Sequence, residues 1–264
     1  MTVALGLDVG GTKIAAARVH LERGAILAAR RIPTAPERGS QAVLADCLAL
    51  AAELGDGVAA IGLALCELVG PDGRVRSTET VDWRAADLSA FDRVESDVRA
   101  AALAEARFGA GRDEPDFLYV SVGSGISHCL MTETGPRVGV RGSAIGTGAP
   151  LVEEWSSGLA LARRTGHASA EDALADPAAA DVVEDAARRL GATLAALVNA
   201  LDPGAVIVGG GLGLHDGYRE RVEAALRPAV YDPAARELPI LPAGLRADAP
   251  VIGAALAAAA RVRA

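Results

Sequence analysis

The sequence predicts an α/β protein built from two domains. Short apolar strands alternate along the chain with longer, alanine-rich segments of helical periodicity, an order typical of this class. A strand–glycine–strand pattern opens the chain and recurs in its second half around residues 123–125, which indicates two related halves. The length of 264 residues is sufficient for two modest domains, each with its own hydrophobic core.

The first half is predicted to begin with three strands and to continue with a helix, a strand and a second helix. Its opening apolar run ends in the sequence DVGGTK at residues 8–13, where the glycines provide the turn of a hairpin. Ser96 is placed to cap the second helix, and glycines at residues 109 and 111 end it. The predicted strands are Val3–Val9, Ile14–Val19, Ala25–Ile32 and Val58–Leu68, and the predicted helices run from Gln41 to Leu54 and from Ser96 to about Phe108.

The second half repeats the hairpin and then becomes largely helical. The predicted strands are Phe117–Val122, Ile126–Met131 and Ala205–Val208, and helical patterns cover Leu151–Leu201, a segment that starts at Asp216, and Val251–Val262. We place the first domain at residues 1–114 and the second at residues 115–249. The helix of residues 250–264 is expected to pack back on the first domain.

Composition argues against several classes of protein. The formal net charge is −8, so the surface lacks the basic stripe that neutralises phosphates in nucleic-acid-binding proteins, and we expect no nucleic-acid partner. The apolar run Val251–Ala260 is too short to span a bilayer and no signal peptide is recognisable, so we expect a cytoplasmic protein with no membrane partner. Cys47, Cys66 and Cys129 are widely spaced and form no CxxC motif, which favours reduced thiols.

The turn of the first hairpin is the strongest candidate for a phosphate-binding loop. Its members are Asp8, Gly10, Gly11, Thr12 and Lys13, the last of these being the single lysine among 26 basic residues. The two glycines would let backbone N–H groups approach a phosphate without a Cβ clash, and the aspartate could hold Mg²⁺ through water. Most Gly-Gly hairpins are simply tight turns, which is the alternative. The P-loop and GxGxxG signatures are both absent.

Two more glycine loops follow short strands, at Gly123-Ser124-Gly125 and Gly209-Gly210-Gly211. In order along the chain, the three loops resemble the phosphate-1, phosphate-2 and adenosine motifs of the two-domain actin-like ATPase (ribonuclease H-like) fold. More closely, the chain resembles the ROK (repressor, open reading frame, kinase) family of sugar kinases. The segments that carry this resemblance are LDVGGTKIAAA, ESDVRAAALAE, SVGSGIS, DPGAVIVGGGL and PVIGAALAAA, and they extend from residue 3 to about residue 260.

The resemblance implies a kinase that uses ATP and Mg²⁺ to phosphorylate a small-molecule polyol. It assigns ATP to the three glycine loops, and Mg²⁺, through water, to Asp8. The family's general base is the aspartate of an Asn-Asp pair, a position that Asp97 occupies here, with Ser96 in place of the usual asparagine. Alternatively, Asp97 is an ordinary first-turn acid that stabilises a helix N-terminus.

Four residues are expected to contact the substrate, namely Glu67, Ser96, Asp97 and Glu153. Glu153 lies four residues before Ser157-Gly158, as the family's sugar-binding glutamate does, although adjacent acids such as Glu153 and Glu154 also serve helix starts. Glu67 ends an apolar run, where an acid is costly unless it is paired or functional. It falls in the region of the family's Pro-Gly substrate loop.

The sequence departs from the family pattern after Arg141-Gly142. The family's Glu-x-Gly-His motif is expected there, but the sequence is SAIGTGAP, with neither an acid nor a histidine. The cysteine-rich loop CxCGxxGC is also missing, and we expect no structural zinc. Loss of the groups that grip a hexose near its anomeric end implies a substrate that differs there, and a carbasugar fits.

The segments CELVGPDGRVRSTETVDWR and GSGISHCL are similar to kinases of C7-aminocyclitol biosynthesis, a route to antibiotics. The specific expectation is therefore a C7-cyclitol 7-kinase for a 2-epi-5-epi-valiolone-type substrate. A kinase acting on O6 of glucose or an N-acetylhexosamine is the alternative, and a non-catalytic sugar-binding relative is another. The acidic charge and the start of the first strand at Val3 argue against a repressor. Family members are often dimers, so the resemblance also allows a homodimer.

Overall fold

The computed structural model describes residues 2–143 and 151–262. The described chain divides into two compact units. The first contains residues 2–109, 135–143 and 248–262, and the second contains residues 110–134 and 151–247. The predicted division assigned residues 135–143 to the second domain. The structure groups them with the first unit, where the guanidinium group of Arg99 donates a hydrogen bond to the carbonyl oxygen of Gly142.

The described residues form strands β1 (Val3–Val9), β2 (Lys13–His20), β3 (Ala25–Pro33), β4 (Ile61–Leu65), β5 (Arg93–Ser96), β6 (Phe117–Val122), β7 (Ile126–Thr132), β8 (Gly135–Pro136), β9 (Ala205–Gly209) and β10 (Ile240–Pro242). The helices are α1 (Ser40–Leu54), α2 (Asp97–Phe108), α3 (Leu151–Ser156), α4 (Gly158–Thr165), α5 (Ala170–Ala175), α6 (Ala180–Leu201), α7 (Asp216–Leu226) and α8 (Ala249–Val262).

The first unit contains a mixed sheet in the order β3-β2-β1-β4-β5. The first three strands form an antiparallel meander, and β4 and β5 run parallel to β1. In the parallel part, Asp8 is opposite Ala64, and Leu65 is opposite Ser96. Because the carboxyl ends of parallel strands meet at one edge of a sheet, the residues that follow β1, β4 and β5 are neighbours.

Helix α8 lies close to the centre of this sheet. A Cβ atom at Gly6 of β1 would collide with the carbonyl oxygen of Val251, and one at Gly62 of β4 would collide with that of Ala254. The two glycines therefore let a helix backbone approach two strand backbones directly. The predicted final helix forms here, and its contacts place it in the first unit.

The second unit has its own sheet and core. Strands β10, β9 and β6 are parallel, and β7 pairs with β6 in antiparallel orientation. The long helix α6 buries one face against this sheet and contacts α7. The residues that α6 contributes to the core are Val183, Ala186, Ala187, Leu190, Leu194, Ala195, Leu197 and Val198. Within the described ranges, no helix combines the length and apolar character needed to cross a membrane.

The structure confirms the α/β class and shows where the predicted elements were too long. The strand predicted at Val58–Leu68 is shorter in the structure, where β4 covers only Ile61–Leu65. The helical region predicted at Leu151–Leu201 is divided into four helices, two of which begin after Ser157 and Ser169, serines whose side chains cap them. Ser96 does precede α2, but its side chain makes no capping hydrogen bond to the helix backbone.

Candidate functional site

In the first unit, the carboxyl edge of the sheet brings Asp8, Cys66 and Asp97 together. Asp8 is the penultimate residue of β1, Cys66 follows β4, and Asp97 follows β5 as the first residue of α2. The backbone N–H of Cys66 donates to the carbonyl oxygen of Val9 across 3.3 Å, which fixes Cys66 beside the end of β1. The sequence predicted functional roles for the two aspartates but none for the cysteine.

The two aspartates are electrostatically coupled. Burial and the negative charge of Asp97 raise the pKa of Asp8 from its ordinary 3.8 to about 7, although the ammonium group of Lys13 opposes this shift. Burial raises the pKa of Asp97 from 3.8 to about 6. Hydrogen bonds to its carboxylate from the Val98 N–H, the Cys66 thiol and the Ser96 hydroxyl act in the opposite direction. A carboxyl group with a pKa near neutral is suited to proton transfer.

The start of α2 determines the position of Asp97. The backbone N–H of Val98 donates to Oδ1 of Asp97 across 2.6 Å, and the hydroxyl of Ser96 donates to the same oxygen across 3.5 Å. Ser96 is buried, and its hydroxyl bonds the carboxylate of its neighbour instead of capping the helix. The predicted pair of residues 96 and 97 is thus a connected unit, with Asp97 only partly buried.

The predicted phosphate-binding turn joins β1 to β2. The N–H of Gly10 donates to the carbonyl oxygen of Lys13 across 3.0 Å, which closes the turn. Thr34 holds the turn through two hydrogen bonds. Its hydroxyl donates to the carbonyl oxygen of Gly10 across 2.7 Å, and its backbone N–H donates to the carbonyl oxygen of Thr12 across 3.2 Å. Gly11, Thr12 and Lys13 remain exposed. Thr34 was missed in the sequence because it lies just beyond β3 with no motif around it.

Glu67, which the sequence predicts to contact the substrate, has its carboxylate occupied by hydrogen bonds within the protein. Its buried carboxylate accepts hydrogen bonds from the hydroxyl of Ser77 (2.5 Å) and the backbone N–H groups of Glu79 (2.8 Å), Thr80 (2.7 Å) and Val81 (3.0 Å). Four donors, two to each carboxylate oxygen, let the glutamate hold the 77–81 loop around itself. The acid at the end of an apolar run is paired, as a buried charge requires.

Sequence analysis assigned no role to Arg99, a buried arginine two residues after Asp97. The Nε atom of Arg99 donates to Oε1 of Glu95 across 2.6 Å, and its two terminal nitrogens donate to the carbonyl oxygens of Gly142 (3.0 Å) and Val69 (2.7 Å). Arg99 is only 1% exposed. It therefore ties the first turn of α2 to two loop segments of the first unit.

In the second unit, the two predicted glycine loops lie at the same edge of the sheet. Strands β6 and β9 are parallel, with Ser121 opposite Gly209, so the loops that follow them are adjacent. Gly210 has a φ of 79° and packs against the backbone of Val122, an arrangement in which a Cβ atom would be strained and would collide. Gly211 follows in the turn after β9.

The loop after β6 is held by the segment that contains Glu153. The N–H of Gly123 donates to the carbonyl oxygen of Gly125 across 2.9 Å, and the N–H of Gly158 donates to that of Gly123 across 2.7 Å. Oε2 of Glu153 accepts from the N–H of Ile126 across 2.6 Å. Ser124 and Gly125 are exposed. The structure thus places Glu153 against the loop predicted to bind phosphate, where it supports the backbone.

The segment SAIGTGAP, where the resemblance predicted a Glu-x-Gly-His motif, falls outside the described residues except for Ser143. The expectation that the protein has no structural zinc concerns this region in part, because the missing cysteine-rich loop belongs to the same stretch of the family pattern. Within residues 2–143 and 151–262, no group of three or more His, Cys, Asp or Glu side chains is arranged to hold a metal ion.

One glycine loop at the carboxyl edge of the first sheet, two at that of the second, and an aspartate at the start of a helix define an α/β protein of the actin-like ATPase class. The chain belongs to the ROK family, which it matches over residues 4–261. It is 32% identical to the bifunctional enzyme NanE/NanK of Brucella melitensis over 95% of its own length and 53% of that protein. The chain thus spans about half the length of this relative.

Two other relatives match over nearly their whole length. The chain is 30% identical to the N-acetylmannosamine kinase of Yersinia pseudotuberculosis, over 97% of this chain and 98% of that protein. Among solved structures, the ROK family glucokinase of Streptomyces griseus, crystallised with glucose and AMPPNP, superposes with a TM-score of 0.81 at 26% identity, over 96% of this chain and 98% of that one. These similarities confirm the fold that the three glycine loops predicted.

Proposed function

We propose that this protein is an ATP-dependent kinase that phosphorylates a primary hydroxyl group of a sugar-like polyol. The observation that carries the proposal is the Asp97 carboxylate at the start of α2, partly exposed and with its pKa raised to about 6. Two of its relatives are named an N-acetylmannosamine kinase and a glucokinase, and these names support the same activity. Membership of the family alone would leave the repressor and binding-protein alternatives open.

In this proposal, Asp97 is the general base. Its carboxylate accepts the proton of the acceptor hydroxyl while that oxygen forms a bond to the γ-phosphorus of ATP. The bond from the γ-phosphorus to the β,γ-bridging oxygen breaks, and ADP leaves with the electron pair. Because the pKa of Asp97 is near 6, the carboxylate is largely ionised at neutral pH and still basic enough to take a proton.

The three glycine loops supply the proposed ATP contacts. The exposed Gly11, Thr12 and Lys13 of the first turn would bind phosphate through backbone N–H groups, a hydroxyl and an ammonium group. The adjacent loops after β6 and β9 would bind the remaining phosphate and the nucleoside. Asp8 offers the hard oxygen donors that Mg²⁺ takes, and it would hold the ion through water, while the ion would offset the phosphate charge.

For the acceptor, we propose a C7-cyclitol of the 2-epi-5-epi-valiolone type, phosphorylated on its exocyclic 7-hydroxyl. The absence of an acid and a histidine from the sequence of residues 143–150 supports this choice. The relatives favour the alternative, since one is named a glucokinase and another an N-acetylmannosamine kinase. Glucose or an N-acetylhexosamine, phosphorylated on O6, is therefore the second candidate.

A coupled ADP-release assay with Mg·ATP tests both levels of this proposal. The acceptors are glucose, N-acetylglucosamine, N-acetylmannosamine and 2-epi-5-epi-valiolone, and the Asp97→Asn variant is the negative control. Turnover with the cyclitol alone supports the full proposal. Turnover with a hexose keeps the kinase and rejects the cyclitol. If no acceptor stimulates ADP release, the kinase proposal is rejected in favour of a non-catalytic sugar-binding protein.

A further inference from the structure

Thr34 is a buried polar residue that neither the motifs nor the proposed mechanism explains. It directly follows β3 and has no exposed surface, although threonine is more often found at the surface of a protein. Both of its donor groups, the hydroxyl and the backbone N–H, bind the turn between β1 and β2. The burial of this side chain is therefore linked to the proposed phosphate-binding turn.

Thr34 binds the carbonyl groups of the turn. Its hydroxyl donates to the carbonyl oxygen of Gly10 across 2.7 Å, and its N–H donates to the carbonyl oxygen of Thr12 across 3.2 Å. The carbonyl oxygen of Lys13 accepts from the N–H of Gly10 across 3.0 Å. Three of the four carbonyl groups in residues 10–13 are thus engaged by donors within the protein.

The hydroxyl of Thr34 determines the orientation of the peptide group between Gly10 and Gly11. In a planar trans peptide the C=O and the N–H point in opposite directions. Because the C=O of Gly10 is directed to the buried Thr34, the N–H of the exposed Gly11 points away from it. A phosphate is attracted by N–H groups and repelled by carbonyl oxygens, and a peptide between two glycines has little steric resistance to turning over. The hydrogen bond from Thr34 opposes that rotation.

Thr34 is itself held in place by the residues that follow it. Ala35 has a φ of 46°, a left-handed conformation that is unfavourable for a residue with a Cβ atom. Such a conformation persists where the surrounding contacts impose it. One such contact comes from Arg38, whose guanidinium donates to the carbonyl oxygen of Thr34 across 3.0 Å and forms an ion pair with Asp46 of α1. The contacts therefore form a continuous series from α1 to the turn.

We propose that Thr34 is a positioning residue for the phosphate-binding turn, and that its hydroxyl holds the Gly10–Gly11 peptide with the N–H directed to a phosphate of ATP. This inference rests on the proposed kinase function, in which ATP binds at this turn. The turn then has its binding orientation before the nucleotide arrives, so less ordering accompanies binding. The motif of residues 8–13 thus depends on a residue that lies outside it.

The test measures dissociation constants for Mg·ATP and for adenosine by isothermal titration calorimetry, without an acceptor. Thr34→Val keeps the shape of the side chain and the backbone N–H, and it should raise Kd for Mg·ATP about tenfold. Kd for adenosine should not change, because adenosine has no phosphate to reach the turn. Thr34→Ser keeps the hydroxyl and should recover most of the affinity. Thr193→Val, the matched control, removes a hydroxyl that donates to the carbonyl oxygen of Arg189 in α6 and should change neither constant.

Three results would overturn the role of Thr34 while leaving the kinase intact. These are an unchanged Kd for Mg·ATP in Thr34→Val, an equal loss of affinity in Thr34→Ser, and an equal loss of affinity for adenosine. A wild-type protein that binds no Mg·ATP would overturn both proposals. Thermal unfolding shows whether each variant is folded. If Thr34→Val does not fold, Arg38→Met, which removes the donor to the Thr34 carbonyl, takes its place, and an unchanged Kd for Mg·ATP would then overturn the proposal.

Discussion

Arg99 and Glu95 form a buried ion pair that spans the junction between β5 and α2. The Nε atom of Arg99 lies 2.6 Å from Oε1 of Glu95, and the two side chains are 2% and 7% exposed. A second cation, Arg93, contacts the other carboxylate oxygen of Glu95 across 2.8 Å. The junction that carries Asp97 is therefore fixed by a fully buried arginine on one side and a partly exposed arginine on the other.

Removal of the Arg99 guanidinium is expected to destabilise the protein. Arg99→Met leaves Glu95 with one cation and leaves the carbonyl oxygens of Val69 and Gly142 without their donor, so the free energy of unfolding should fall by about 3 kcal/mol. Denaturant titration measures the change. Arg112→Met, which removes an exposed ion pair with Asp113, is the matched control and should change stability by less than about 1 kcal/mol. Equal values for the two variants would contradict a structural role for Arg99.

Asp97→Asn should abolish turnover and stabilise the protein. The amide cannot accept the proton, and loss of a general base lowers kcat by about 10²- to 10⁴-fold. At pH 7.5 the substitution also removes a charge that burial and Asp8 disfavour, so we expect Tm to rise by a few degrees. Kinetics and thermal unfolding of the same preparation check both effects. A near-normal rate would reject Asp97 as the base, and a lowered Tm would reject the electrostatic argument.

The stability of the ligand-free protein should depend on pH in a specific direction. Asp8 has a pKa of about 7 when folded and about 3.8 when unfolded, so the folded state binds more protons between these values. Its contribution to stability is therefore greatest at low pH and is lost as the pH rises through 7. Burial lowers the pKa of His128, so in part of this range the unfolded state binds more protons at His128 than the folded state does. Its contribution to stability therefore increases with pH, opposite to that of Asp8.

Comparison with Asp8→Asn reports the contribution of the Asp8 carboxyl group together with its coupling to Asp97. Free energies of unfolding are measured from pH 5 to pH 8, where Asp82 and Asp185, with pKa values of about 2, stay ionised in the folded state. The difference between Asp8→Asn and the wild type should grow in favour of the variant as pH rises. A difference that is constant with pH would show that the Asp8 pKa is not raised.

Glu67→Ala is expected to unfold the 77–81 loop locally and to lower Tm. The variant leaves three backbone N–H groups and the Ser77 hydroxyl without their acceptor, at a cost of about 1–3 kcal/mol for each group that stays buried. Hydrogen exchange of residues 77–81 and thermal unfolding report the two effects. Glu79→Gln, at an exposed position of the same loop, is the control. If Glu67→Ala changed only KM for the acceptor, the substrate-contact prediction would be supported and the structural role of Glu67 rejected.

The elements that sequence analysis predicted well are those defined by local patterns. The two glycine hairpins, the alanine-rich helix α2 and the final helix each depend on residues close together in the chain, so periodicity and turn residues locate them. The long helical stretch was located, but the points at which it divides into separate helices were not. Ser157 and Ser169 cap two of these helices, and a serine in a sequence is too common to mark a helix start by itself.

The parts that sequence analysis missed depend on contacts between distant residues. Glu67 meets donors 10 to 14 residues away, and Arg99 meets a carbonyl 43 residues away. Neither residue type nor spacing distinguishes a satisfied buried acid from a substrate ligand, so the sequence does not reveal that Glu67 holds the 77–81 loop. The positions of Thr34 beside the first glycine turn and of Cys66 beside the end of β1 likewise depend on residues that are distant in the chain.

The backbone contact between α8 and the glycines of β1 and β4 affects the order in which the protein matures during synthesis. While the ribosome is still adding residues 110–247, the bare surface around Gly6 and Gly62 has no helix to cover it. The second unit can complete its core first, since all of its residues emerge before Ala249. The first unit, which carries Asp8 and Asp97, is therefore expected to complete its packing only after α8 has been synthesised.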